Sequence, residues 1–151
     1  MIVRCIATTG AVLPVTARDP IMGVNADTEF PVTVGRNYPV YGVTIFLGIA
    51  WYYILNDDQH PWPTWTPAPL FDVTDGSLPA SWRFGYFRFS NGDQYPILSF
   101  PEWSSDHALY ERLVDGEAEE VQVFEKRRRE VEDLPWQALK ESPLPSRSHD
   151  S

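Results

Sequence analysis

The chain has 151 residues, a formal net charge of -9 and a pI of about 4.7, and is 43% hydrophobic and 14% aromatic. This length suits one domain that buries roughly two-thirds of its unfolded surface, and this much apolar material excludes a chain that is disordered throughout. The acid excess argues against nucleic acid and anionic membranes as partners, because phosphate recognition needs clustered cations, and it favours basic proteins instead.

Residues 1–8 read as a first strand. Within it Cys5, the single cysteine, reads as a small buried hydrophobe. One cysteine makes no internal disulfide, and reducing cytoplasm is the simplest compartment for it. No signal-peptide pattern is visible, since Arg4, Pro14, Arg18 and Asp19 interrupt the apolar stretch. Residues 9–31, punctuated by Pro14, Pro20, Gly23 and Pro31, read as loop, and 32–34 as a short strand. Residues 38–56 carry no charge and are long enough to span a bilayer. Pro39, Gly42, Gly48 and the aromatic and β-branched content instead predict two buried strands, 38–46 and 49–56, joined near Leu47-Gly48. Asp57-Asp58-Gln59-His60 begins a polar turn. Residues 61–69 alternate proline with tryptophan and read as an extended surface segment or lid. Trp62 and Trp65 either fold back over the sheet or form an exposed patch for a partner.

A short strand is expected at 70–73. Residues 82–89 and 94–100 flank Ser90-Asn91-Gly92-Asp93, and Asn-Gly predicts a type I′ hairpin pairing Arg88 with Tyr95, Tyr86 with Ile97 and Phe84 with Ser99. Pro96 predicts an edge strand or a bulge for 94–100. Ser104 or Ser105 is expected to cap a helix running to about Val114 with an apolar stripe of Leu109, Tyr110, Leu113 and Val114. A second helix is expected at 117–133, with Glu125 and Arg129 placed as an i,i+4 pair. The single domain is expected to end at 134, followed by a polar, disordered tail at 135–151.

Catalytic motifs are missing from this pattern: there is no glycine-rich phosphate loop and no nucleophile elbow. One cysteine and three scattered histidines give no metal-ligand spacing, and Asp57, Asp58 and His60 read as turn formers rather than ligands. No cofactor is expected. The densest one-sign region holds Glu102, Asp106, Glu111, Asp115, Glu117, Glu119 and Glu120, opposed only by Arg112. It is either a solvated helix surface or an acidic docking face for a basic protein. The basic run 126–129 is flanked by acids at a helix C-terminus, where cations complement the helix dipole.

The stretches Gly35-Arg36-Asn37-Tyr38-Pro39-Val40-Tyr41-Gly42, Leu70-Phe71-Asp72 through Leu78-Pro79-Ala80-Ser81-Trp82, and Tyr110-Glu111-Arg112-Leu113-Val114-Asp115-Gly116 to Phe124-Glu125-Lys126 carry a resemblance. In texture and order, over about 30–130, the chain resembles small bacterial immunity proteins encoded beside polymorphic toxins of the contact-dependent inhibition and Rhs types. The resemblance implies a cytoplasmic protein that binds a cognate toxin C-terminal domain, many of which are basic nucleases, and blocks it. It supplies no functional residues to transfer.

The expected fold is α+β: a bent antiparallel sheet or small, partly open barrel of about five or six strands, followed by two C-terminal helices. The expected core is Val3, Ile6, Val40, Val43, Ile45, Phe46, Ile49, Trp51, Tyr53, Leu55, Phe71, Trp82, Phe84, Ile97, Leu98, Leu109, Leu113 and Phe124. The expected partner surfaces are the turn Asp57-Asp58 with Trp62 and Trp65, and the acidic helix region Glu102, Asp106, Glu111, Glu117, Glu119 and Glu120. The alternatives are a small-ligand-binding or enzymatic barrel whose aromatic sheet lines a pocket, with Asp57, His60 and neighbouring acids as its polar groups, and a structural adaptor.

Overall fold

The charge-free stretch 38–46, expected as one strand, is divided between two sheets. The computed structural model describes residues 1–132. The expected end of the domain at 134 and the expected tail at 135–151 lie outside the described residues. Pro39 ends strand β2 (Asn37–Pro39), and β3 (Gly42–Phe46) starts after a two-residue step. In that step the Val40 N–H still donates to the Met1 carbonyl at 3.0 Å, while the Tyr41 N–H already donates to Tyr53 at 2.8 Å. One segment thus closes the first sheet and opens the second.

The first sheet sets β1 (Ile2–Cys5) between β2 and β6 (Phe71–Asp75). The second has the order β5-β4-β3-β8-β7, with β4 Ile49–Ile54, β5 Thr64–Pro67, β7 Arg83–Arg88 and β8 Gln94–Ser99. All pairings within the two sheets are antiparallel. The class is α+β, as expected, but the eight strands among the described residues form two sheets, and neither closes into a barrel. No strand forms at 32–34, where the Thr33 N–H is instead taken by the Tyr38 hydroxyl at 2.9 Å. Half of the proline-tryptophan segment is an edge strand rather than a surface strap: β5 pairs with β4, Trp65 opposite Tyr53. An edge is where a strand tolerates Pro67.

The two tight hairpins divide the turn chemistry differently from expectation. Leu47 (φ 53°) and Gly48 (φ 77°) are the two residues between paired Phe46 and Ile49, so the two positive φ angles of a type I′ turn fall here. In the β7–β8 hairpin only Gly92 (φ 92°) is left-handed, and Phe89 donates to Asp93 across three residues at 2.9 Å. A three-residue loop with glycine at the left-handed position shifts the register by one residue. Arg88 faces Gln94, Tyr86 faces Pro96 and Phe84 faces Leu98. The strand β8 is interior, not an edge. The β3 ladder onto it spans Gly42↔Ser99 and Val43↔Leu98, stops short of Pro96, and the Thr44 hydroxyl donates to the Pro96 carbonyl instead.

Among the described residues three helices follow rather than two. Pro101 opens α1 (Pro101–Ser104), so Ser104 and Ser105 close that turn instead of capping a helix start. Then come α2 (Leu109–Val114) and α3 (Ala118–Val131). The short α1 lies directly on the sheet because two strand residues lack side chains. A Cβ on Gly85 would sit 2.1 Å from the Ser104 carbonyl oxygen, and one on Gly42 would sit 3.2 Å from the Trp103 ring. Trp103 is fully buried there, edge-on to Tyr53 at 4.6 Å and stacked on Tyr110 at 5.4 Å. On α3, Phe124 packs edge-on to Tyr41 at 5.3 Å. Tyr52, on the other face of the second sheet, meets Phe71 of the first at 5.9 Å. That cover does not extend across the sheet. Ile45 is 54% exposed and Phe84 68%, and Ile6 and Phe46 are also exposed, against the expected core. No helix among the described residues is long and apolar enough to cross a membrane.

Candidate functional site

The face of the second sheet that carries Tyr53, Trp65 and Tyr95 is covered by α1 and α2 at one end and open at the other. Opposite residues on adjacent strands share a face, so the pairs Tyr53–Trp65, Tyr53–Gly42 and Trp51–Thr44 belong to this one surface. At its open end is a cleft of about 690 Å³ lined by six aromatic side chains, Phe46, Tyr53, Trp65, Phe89, Tyr95 and Tyr110, with Thr44 and Asp93. Trp65 stands at the β5 edge, and the loop carrying Asp93 stands at the β7–β8 end. Phe46 and Trp65 pack at 5.3 Å, and Trp51 supports both from beneath, 4.7 Å from Trp65. This wall follows from the local sequence. Alternation along β4 sends Trp51 and Tyr53 to one side, and the positive-φ turn at Leu47-Gly48 returns Phe46 beside them.

The polar tips inside the cleft are neutral. The hydroxyls of Tyr53 and Tyr95 lie 3.0 Å apart, and Tyr110 donates to the Pro63 carbonyl at 2.7 Å. Burial pushes all three phenols above the ordinary tyrosine value, Tyr110 to about 12. For Tyr53 the neighbouring Tyr95 adds to the effect. For Tyr95 the Tyr53 hydroxyl and the Trp103 indole partly oppose it. The Trp103 N–H is itself buried and makes no hydrogen bond of normal geometry. Asp93 supplies a carboxylate at the mouth, accepting from the Asn91 amide at 3.0 Å, and no Lys or Arg lines the cavity. The arrangement therefore offers π faces, neutral hydroxyls and one negative charge. Among the described residues no group of three or more His, Cys, Asp or Glu side chains is placed to hold a metal ion.

The residues singled out from the sequence are scattered around this cleft rather than gathered in it. Trp65 lines it. Trp62 is half-buried and stacks on His60 at 4.7 Å. Asp57 is turned inward: its carboxylate accepts from Thr33 (2.6 Å), Tyr38 (2.8 Å) and Arg36 (3.0 Å), clasping 33–38 to the end of β4. Burial raises its pKa, but these hydrogen bonds and the Arg36 charge outweigh it, and the net direction is down. Asp58 is exposed.

Three acids of the helix region, Glu102, Asp106 and Glu120, are neutralised from within. Glu102 takes a two-pronged bond from Arg127 at 2.8 and 3.0 Å, which holds its pKa below the usual value. Asp106 pairs with Arg112, which also reaches Glu120 at 3.0 Å. Glu111, Glu117 and Glu119 are exposed. Two cations of the basic run, Arg127 and Arg128, are spent in the same way: Arg128 pairs with Glu132 at 2.6 Å and Glu125 at 3.3 Å, so Glu125 meets Arg128 rather than Arg129.

Sequence reasoning placed Tyr53 and Phe46 in the core and Tyr110 on a helix stripe, and it passed over Phe89, Asp93 and Tyr95 as parts of a site. The available signal was residue type. A strand buried on both faces has no reason to prefer Tyr and Trp over Leu and Ile, whereas a surface that is half wet does. Compared with protein-family models, with curated proteins and with solved structures, the chain matches none of them.

Proposed function

We propose that this chain is an immunity protein that binds a cognate toxin domain in the cytoplasm and blocks its active site or substrate path, with the aromatic cleft as the docking surface. The observation that carries the reading is the open, cation-free cleft with an aromatic rim, where Phe46 and Phe89 are 36% exposed each. Aromatic side chains in a recess shielded from water are the usual anchors of tight protein interfaces. The sequence resemblance supplies the class of partner, and the net charge of -9 suits a basic one. In this division of labour the overall field, including Glu111, Glu117 and Glu119, speeds encounter, while Trp65 and its neighbours slow dissociation. The test is co-expression with a candidate toxin domain, taken from any polymorphic-toxin gene found beside the gene for this chain. Growth rescue together with a purified 1:1 complex is the expected result, and growth arrest unchanged by the chain contradicts the reading.

A second reading is favoured by the cavity itself. Its volume of about 690 Å³ lies within the range of small-molecule sites. A ligand that co-purifies with the chain and is lost in Trp65→Ala, without growth rescue, selects this alternative.

A further inference from the structure

We infer that the cleft receives an arginine side chain from the protein partner. The inference rests on the docking role proposed for the cleft and names what enters it. Three observations converge. The walls are aromatic faces, and Trp65 is backed by Trp51 at 4.7 Å, so its position is fixed before anything binds. The hydroxyls inside are neutral and largely occupied with one another or with Pro63, so they offer acceptor lone pairs without competing positive charge. Among the lining side chains the one charge is the carboxylate of Asp93, and no Lys or Arg opposes it. On the helical side Tyr110 lines the cleft, and His107 is held edge-on between Phe87 at 5.3 Å and Phe89 at 5.0 Å.

A guanidinium suits this recess better than an ammonium. It is flat, stacks on aromatic faces and sheds water more easily, while its N–H groups reach hydroxyl and carboxylate oxygens in the ring plane. An anionic or purely aliphatic group would leave the Asp93 charge and the phenolic oxygens unanswered. The chain already shows the same chemistry on its surface, where the Arg88 guanidinium lies 5.3 Å from the Tyr86 ring centre.

The probe is N-acetyl-arginine methylamide, titrated into the full chain and followed by NMR at the indole and tyrosine signals, with the neutral isostere N-acetyl-citrulline methylamide as control. The arginine probe is expected to shift Trp65, Trp51 and Tyr95 signals saturably, the citrulline probe is not, and Asp93→Asn is expected to weaken binding about threefold. Asp93 is exposed on a loop, so this variant keeps the fold, and unchanged amide spectra away from the loop check that it does. Equal response to both probes, no response in the cleft, or no effect of Asp93→Asn overturns the inference. Tighter binding of tetramethylammonium than of the arginine probe also overturns it, in favour of a free organic cation. Growth rescue without a cleft response to arginine defeats this inference alone, and a cleft response without growth rescue defeats the immunity reading alone.

Discussion

The acidic helix region and the aromatic end of the second sheet use their side chains in opposite ways. In the first, three of the acids that stand out in the sequence are consumed internally: Arg127 holds Glu102 together with Glu130, and Arg112 holds Asp106 and Glu120, while Glu111, Glu117 and Glu119 stay exposed. In the second, apolar and aromatic groups that could have filled a core are left facing an open cleft. The contrast teaches that a dense one-sign run in a sequence is a poor guide to free charge when cations elsewhere in the chain fold against it. Unspent aromatic surface is a guide of another kind, because burying it is worth roughly 25 cal/mol per Å² to whatever covers it.

The contrast breaks most visibly at the seam between the two regions, where Trp103 is fully buried. Trp103→Ala removes the ring that joins Tyr53, Phe100 and Tyr110 and should cost about 3–5 kcal/mol in chemical denaturation. Next in size, Trp65→Ala should weaken partner binding by about 2 kcal/mol, nearly all in the dissociation rate. Binding kinetics and circular dichroism of the same sample separate that loss from unfolding. Arg127→Met leaves Glu102 and Glu130 without their partner and should cost roughly 1 kcal/mol of stability while leaving the dissociation rate unchanged.

The same ion pairs set the acid limit. The folded-state values of Asp57, Glu102 and Glu130 are depressed, so their contribution is fully present above the ordinary values of 3.8 and 4.5 and is lost as pH falls through and below them. The denaturation midpoint should therefore hold level down to about pH 5 and then drop. At the other end the raised values of Tyr53 and Tyr110 work in reverse: their contribution is whole below the ordinary value of 10.0 and lost as pH rises beyond it. Smallest of all, replacing Glu111, Glu117 and Glu119 by Gln should change stability by less than about 0.5 kcal/mol. It should also slow association at low salt and leave dissociation unchanged.

Most of the strands, the existence of the β7–β8 hairpin and the long third helix were legible because apolar runs bounded by turn residues, an Asn-Gly turn and an amphipathic pattern are local signals. What failed was set by distant contacts. The positions of Ile45 and Phe84 depend on how far the first sheet extends over the second. The start of α1 depends on Pro101 and on the bare backbone of Gly85, neither visible as a cap. The register slipped by one because Asn91 keeps a negative φ and Gly92 alone turns the chain. The cleft was legible only in part, through Trp65. Phe46, Phe89 and Tyr95 meet there from three separate strands or their ends, and no spacing rule brings them together.

The most direct measurement is the dissociation rate of the complex with the proposed cognate toxin domain, for two variants with native spectra: Trp65→Ala, and Glu111→Gln with Glu117→Gln and Glu119→Gln. The account predicts that the cleft variant dissociates about thirtyfold faster and that the acidic-face variant dissociates at the wild-type rate. Faster dissociation from the acidic-face variant, with the cleft variant unchanged, would place the partner on the helices and contradict it.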